Sequence, residues 1–231
     1  MGTIVENLQR VKQRMEAAAL RVGRAPEEIS LVAVTKTVPI PRIREAIDAG
    51  ITLFGENRVQ EAREKVALLG RSRIRWHLIG HLQRNKVKYV FDLFDLIHSV
   101  DSLALAQEIN KQGSKRNQVM PIFLQVNVAG EATKFGVSPE EALPLLKEMA
   151  RLPYVAVRGL MTIPPLAEDA EASRPYFREL RLLRDEIAKV GIEGISLAEL
   201  SMGMSNDYEV AIEEGATFVR IGSALFGPRS T

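Results

Sequence analysis

The chain has 231 residues, 46% hydrophobic and 26% charged, with a formal net charge of +2. That is enough chain for a substantial core without a metal or disulfide staple, and so small a net charge does not argue for a polyanionic partner. There is no cysteine, which removes thiol nucleophiles, disulfides and zinc–cysteine sites together; of the three histidines, His77 and His81 are four apart but lie in no HExxH pattern, so no metal site is expected.

No apolar run approaches a membrane span, and the N-terminus lacks the apolar stretch of a signal peptide. Glu6 stands where a myristoylation signal opening at Gly2 needs Ser or Thr. A cytoplasmic protein is expected.

Ile4, Leu8, Val11, Met15, Ala18 and Val22 fall on one helical stripe, which predicts a first helix over 4–22, stopped by Gly23 and Pro26. Leu31 to Thr37 then reads as one buried parallel strand whose apolar run gives out at Lys36. Alone, such a lysine is best read as a snorkelling side chain. A helix over 40–49, a strand over 53–56 and a helix over 59–69 follow, with Gly50 and Gly70 as stops. Strands are predicted next over 75–80 and 96–100, separated by a short helix over 85–91. Asp101 or Ser102 caps a helix to about Lys111, and 122–128 is the fifth strand.

A polar loop, 129–137, leads to a helix opening at Ser138-Pro139-Glu140-Glu141. The sixth strand is expected over 155–163, then a long helix over about 172–190 and a seventh strand over 196–203. Asn206 and Glu209 fit a capping box for the next helix, and 217–222 is the eighth strand. Strands alternating with helices imply right-handed βαβ units. The count and length suit a closed (β/α)8 TIM barrel better than an open doubly wound sheet, as one domain over 1–231. The extra N-terminal helix is expected to cover the place a final helix normally takes, since no helix is predicted after the last strand.

The working face of such a barrel lies at the C-terminal ends of its strands. Lys36, Asn57, the run 80–86, Lys134, Thr162, the run 201–206 and Arg220 to Ser223 gather there. Barrels of this kind often bind phosphate after strands seven and eight, where Ser201 offers a hydroxyl and Gly222 and Ser223 offer open backbone N–H groups.

Ala33-Val34-Thr35-Lys36, Phe54-Gly55-Glu56-Asn57, the run 76–83, His98-Ser99-Val100-Asp101, Lys134-Phe135-Gly136, the run 200–205 and Val219-Arg220-Ile221-Gly222 carry a resemblance across nearly the whole chain. The sequence resembles the pyridoxal phosphate homeostasis proteins, small relatives of the alanine racemase N-terminal barrel, and is especially similar to cyanobacterial-type members. The resemblance implies pyridoxal 5'-phosphate (PLP) as cofactor. It implies Lys36 as the Schiff-base lysine, Ser201, Gly222 and Ser223 at the phosphate, Arg220 at the pyridine nitrogen and Asn57 near the ring, with Met202 and Met204 packed around them. It also implies a carrier or buffer of PLP without robust catalysis, whose partners are PLP and the apoenzymes that need it.

An arginine only donates hydrogen bonds, so Arg220 handicaps carbanion chemistry on the ring. A second, tyrosine-bearing domain of the racemase kind is not expected within these 231 residues. A minimal racemase is the first alternative. A phosphosugar enzyme is another, and so is a nucleic-acid or protein-binding barrel using Arg71, Arg73, Arg75, Arg84, Lys86 and Lys88; those charges more often form a solvated face, and no nucleic acid is expected. A monomer is expected because no long apolar stripe is left over. Lys134 is expected to border the cofactor's exit.

Overall fold

Short, mostly buried strands have closed on one another. In the computed structural model, which describes residues 2–228, these are β1 (Ser30–Val34), β2 (Leu53–Glu56), β3 (Arg75–Leu78), β4 (Leu96–Val100), β5 (Met120–Gln125), β6 (Val155–Met161), β7 (Glu199–Met204) and β8 (Phe218–Ile221). They form a closed barrel in chain order, every neighbouring pair parallel, and β8 returns to β1 with Ser30 beside Phe218 and Ala33 beside Ile221. The expected (β/α)8 barrel is therefore present.

Helices cover the barrel: α1 (Ile4–Arg21), α2 (Ile40–Asp48), α3 (Val59–Leu69), α4 (Val90–Leu93), α5 (Leu103–Arg116), α6 (Pro139–Met149), α7 (Arg174–Val190), α8 (Tyr208–Glu213) and α9 (Ser223–Phe226). The main core lies between barrel and helices, where Phe54, Trp76, Phe94 and Phe177 are almost wholly buried. Inside the barrel sit two small apolar sets, Val32, Leu53 and Ile79 on one side and Leu96, Phe123 and Met161 on the other. Among the described residues, no helix is long and apolar enough to cross a membrane.

Helix α1 opens with a capping box between Thr3 and Glu6 and packs on α8 and α9, the place a last barrel helix would fill. Asn7 ties it down by donating to the Leu225 carbonyl at 2.9 Å. Two expectations change here. Val22 is exposed and caps the helix instead of continuing its stripe, and a helix, the single turn α9, does follow the last strand.

Other boundaries shift for local reasons. Ser102 caps α5 by accepting from the Leu105 N–H, while Asp101 turns to His81 at 3.4 Å. That helix runs past Lys111 to Arg116, where Asn117 takes a left-handed conformation. β5 ends at Gln125, because Val126 instead bridges to Val137 and ties down the following loop. The capping box at Asn206 is absent: α8 opens at Asp207, and Asn206 donates to the Ala167 carbonyl at 3.0 Å. The expected helix start at Ser138 is present, and Ser138 and Glu141 form a capping box there.

Candidate functional site

The strands' C-terminal ends surround a cavity of about 680 Å³, lined by Lys36, Asn57, Ile79, Met204, Ser205, Arg220, Gly222 and Ser223 among others. Lys36 stands two residues beyond β1, half-buried. Its two neighbours are pinned from below. The Thr35 hydroxyl donates to Glu56, and Lys65 donates to the Thr35 carbonyl at 2.5 Å, to Glu56 Oε1 at 2.7 Å and to Glu61 Oε1 at 2.7 Å.

Glu61 also accepts from the Thr37 N–H at 2.7 Å, which helps hold Thr37 at φ 62°. A β-branched residue occupies that left-handed region only when its surroundings insist. Burial pushes the Glu56 carboxyl up, opposed by its bonds from Lys65 and Thr35. The end of β1 is thus clamped on both sides of Lys36.

Across the cavity, Arg220 is nearly fully buried and donates from Nη1 to Ser201 Oγ at 2.6 Å and from Nη2 to the Thr162 carbonyl at 2.9 Å. Burial lowers its guanidinium to about 10, with the Asp207 carboxylate acting the other way. It stays charged at neutral pH. Behind it a polar chain crosses the barrel: Ser201 Oγ lies 2.8 Å from His98 Nδ1, and His98 Nε2 lies 2.9 Å from His77 Nδ1. Burial depresses both rings, His77 to about 3 and His98 well below the usual range, so both are neutral.

At the third side, the Ser205 hydroxyl accepts from the Gly222 N–H at 3.0 Å and the Ala224 N–H at 3.3 Å. Gly203 makes this possible. It sits at φ 87°, and a Cβ there would come within 2.5 Å of the Ala211 Cβ, so only glycine lets β7 turn and bring Met204 and Ser205 to the cavity. Gly80 does the same for Asn57, whose carbonyl oxygen would lie 2.3 Å from a Cβ at that position.

The structure brings Lys36, Asn57, Met204, Arg220, Gly222 and Ser223 to one cavity. It leaves two of the expected residues out of the lining. Ser201 is fully buried inside the barrel, its hydroxyl taken up by Arg220 and His98 rather than open to a phosphate. Met202, next in the strand, points the other way and packs in the core under the helices. Ser205, four residues further on, lines the cavity instead. β7 runs on to Met204, so Ser201 lies within the barrel wall and not at its rim.

The sequence places His77 and His98 on strands and in the family's motifs, with His77 weighed as a metal ligand, and gives neither a hydrogen-bond partner. In a strand buried on both faces, a histidine with no metal partner needs a polar neighbour inside the barrel, and that is the missed signal. Lys134 is not in the lining; its ammonium lies 3.1 Å from Glu131 Oε1, in the loop whose Phe135 ring stacks on His81 at 3.8 Å. Among the described residues there is no cluster of His, Asp or Glu fit to hold a metal ion.

A family model described as alanine racemase, N-terminal domain, matches residues 3–230. The pyridoxal phosphate homeostasis protein of Aquifex aeolicus (strain VF5) is 50% identical over 224 residues, covering 97% of each chain. That of Pseudomonas aeruginosa is 43% identical over 229 residues, covering 99% of this chain and 97% of its own. The structure of PipY from Synechococcus elongatus PCC7942 with PLP bound superposes with a TM-score of 0.84 at 38% identity, covering 97% of this chain and all (100%) of that one.

Proposed function

The chain belongs to the alanine racemase N-terminal domain family, among its pyridoxal phosphate homeostasis proteins, and from that premise we propose that it holds PLP as a carrier or buffer and not as a working catalyst. The cofactor supplies an aldehyde that condenses with a primary amine, losing water, and a pyridine ring that can draw off electron density.

The donor set of the cavity fits that group. Lys36 is the amine on the lining, held by its clamped neighbours. Ser205 is the phosphate donor: its oxygen accepts from the Gly222 and Ala224 N–H groups, which leaves its hydroxyl proton for the phosphate, with Gly222 and Ser223 beside it on the lining. Arg220 meets the ring nitrogen and Asn57 and Met204 flank the ring. The Ser201 hydroxyl serves at one remove, by holding Arg220.

One observation carries the carrier reading. Among the described residues that line the cavity, Asp207 is the sole carboxylate, and its oxygens accept from the Met204 N–H at 2.7 Å and the Ser173 hydroxyl at 2.9 Å. Racemisation needs a second proton-transfer group opposite the lysine, within hydrogen-bond reach of the substrate. The lining offers Lys36 and no uncommitted partner for it. A guanidinium at the ring nitrogen weakens the electron sink further, because it has no proton acceptor to offer.

In this reading the protein is a cytoplasmic monomer that gives its cofactor up to apoenzymes. The test is titration of the purified protein with PLP, followed by incubation with L- and D-alanine. A visible absorbance band that saturates at one PLP per chain, with no interconversion of the enantiomers, is expected. Sustained turnover would make the protein an enzyme.

A further inference from the structure

The polar chain behind Arg220 has one consistent order of donors. Arg220 can only donate, so Ser201 Oγ accepts its N–H at 2.6 Å. The Ser201 hydroxyl proton then needs an acceptor, and His98 Nδ1, at 2.8 Å, is the polar atom within reach. With Nδ1 accepting, the neutral His98 ring carries its proton on Nε2 and donates it to His77 Nδ1 at 2.9 Å. In the reverse order His98 donates to Ser201, which already receives Arg220, and a buried hydroxyl proton is left with no partner. That costs the desolvation of a buried donor.

We infer that His77 and His98 are positioning residues for Arg220: they fix the Ser201 hydroxyl as its acceptor and so aim the remaining guanidinium N–H groups at the cavity. Each link polarises the next, so a hydroxyl that itself donates to His98 is a stronger acceptor for the arginine. The depressed basicity of both histidines agrees with neutral rings, since a second proton on His98 would put another cation against Arg220. The donor order depends on the chain's own residues alone; the positioning role rests on the PLP reading.

Histidine nitrogen NMR on the cofactor-free protein at neutral pH tests the donor order. Both rings are expected to carry the proton on Nε2 with Nδ1 bare, and a proton on His98 Nδ1 would overturn the order. The positioning role is tested on the PLP-loaded protein with His98→Leu, which is expected to shift the visible absorbance and to raise the rate of PLP loss about tenfold or more, the worth of a charged hydrogen bond. His98→Asn, which offers Oδ1 in place of Nδ1, is expected to restore both. A folded His98→Leu with unchanged absorbance and PLP loss overturns the role; should that variant not fold, Ser201→Ala carries the same two readouts. Wild-type protein that takes up no PLP would sink the functional reading and the positioning role together while leaving the donor order standing.

Discussion

The Ser205 hydroxyl accepts a hydrogen bond from the Gly222 N–H at 3.0 Å, and so joins the end of β7 to the end of β8 at the point where the Ala224 N–H also converges. Ser205→Ala is expected to weaken PLP binding by about 1.5–3 kcal/mol, the range for hydrogen bonds to charged groups. Binding of pyridoxal, which lacks the phosphate, should change far less. Equilibrium dialysis with both ligands checks this, and equal losses for the two would remove Ser205 from the phosphate site.

Gly203 sets where Ser205 stands. An alanine at φ 87° with its Cβ 2.5 Å from Ala211 Cβ must strain the backbone or push α8 away. Gly203→Ala is expected to lower stability by roughly 1–3 kcal/mol and to weaken PLP binding as well. Urea unfolding and dialysis report the two effects separately; wild-type binding in the variant would show that the turn does not position the site.

Much of the architecture was legible because burial on both faces leaves a plain signature. Runs such as Leu31 to Val34 and Leu96 to Val100 cannot be surface strands, and the glycine stops between helix and strand set the alternation. Lys36 stood out for the same reason, as a charge ending an apolar run. Ser201 is expected on the working face because strand seven reads as closing at Gly203, which gathers 201–206 at its C-terminal end. Four of those six residues are strand, so the facing of each side chain depends on a register that shifts between Ser201 and Met204, around Gly203. The histidine chain was hidden because its members come from three strands, and only barrel closure brings His98 and Ser201, 103 residues apart, into contact. The false capping box at Asn206 shows the same limit: the Ala167 carbonyl, 39 residues away, competes for its side chain.

Lys65 compensates the buried charge of Glu56. Its removal as Lys65→Met leaves a carboxylate with no exposed surface and one oxygen, Oε2, already without a partner. A loss of about 3–5 kcal/mol is expected, as for breaking one side of a buried pair. Adding Glu56→Gln to that variant should recover a large part of it. Chemical denaturation of the two variants decides, and a double variant no more stable than the single one would contradict the pairing.

The two buried histidines make stability depend on pH in a known direction. Both are depressed in the folded protein, so their contribution is present above the unfolded value of 6.5 and is lost as pH falls. Each adds about 1.4 kcal/mol of lost stability per pH unit between roughly pH 6 and 5. Glu56, raised by burial, acts in the opposite sense: its contribution is present below 4.5 and is lost as pH rises through its folded value. Comparing His77→Gln with wild type cancels the Glu56 term. The variant is expected to show a slope shallower by one proton, measured by urea unfolding at pH 7, 6 and 5.

Everything in the functional account turns on Lys36 being the amine that takes the cofactor. Wild-type protein loaded with PLP, reduced with borohydride and digested, identifies the attachment point by the mass of a single peptide. The expected result is one phosphopyridoxyl group per chain, on the peptide containing Lys36, and none in Lys36→Ala with its fold intact by circular dichroism. An adduct carried mainly by another lysine, such as Lys65 or Lys134, would contradict it.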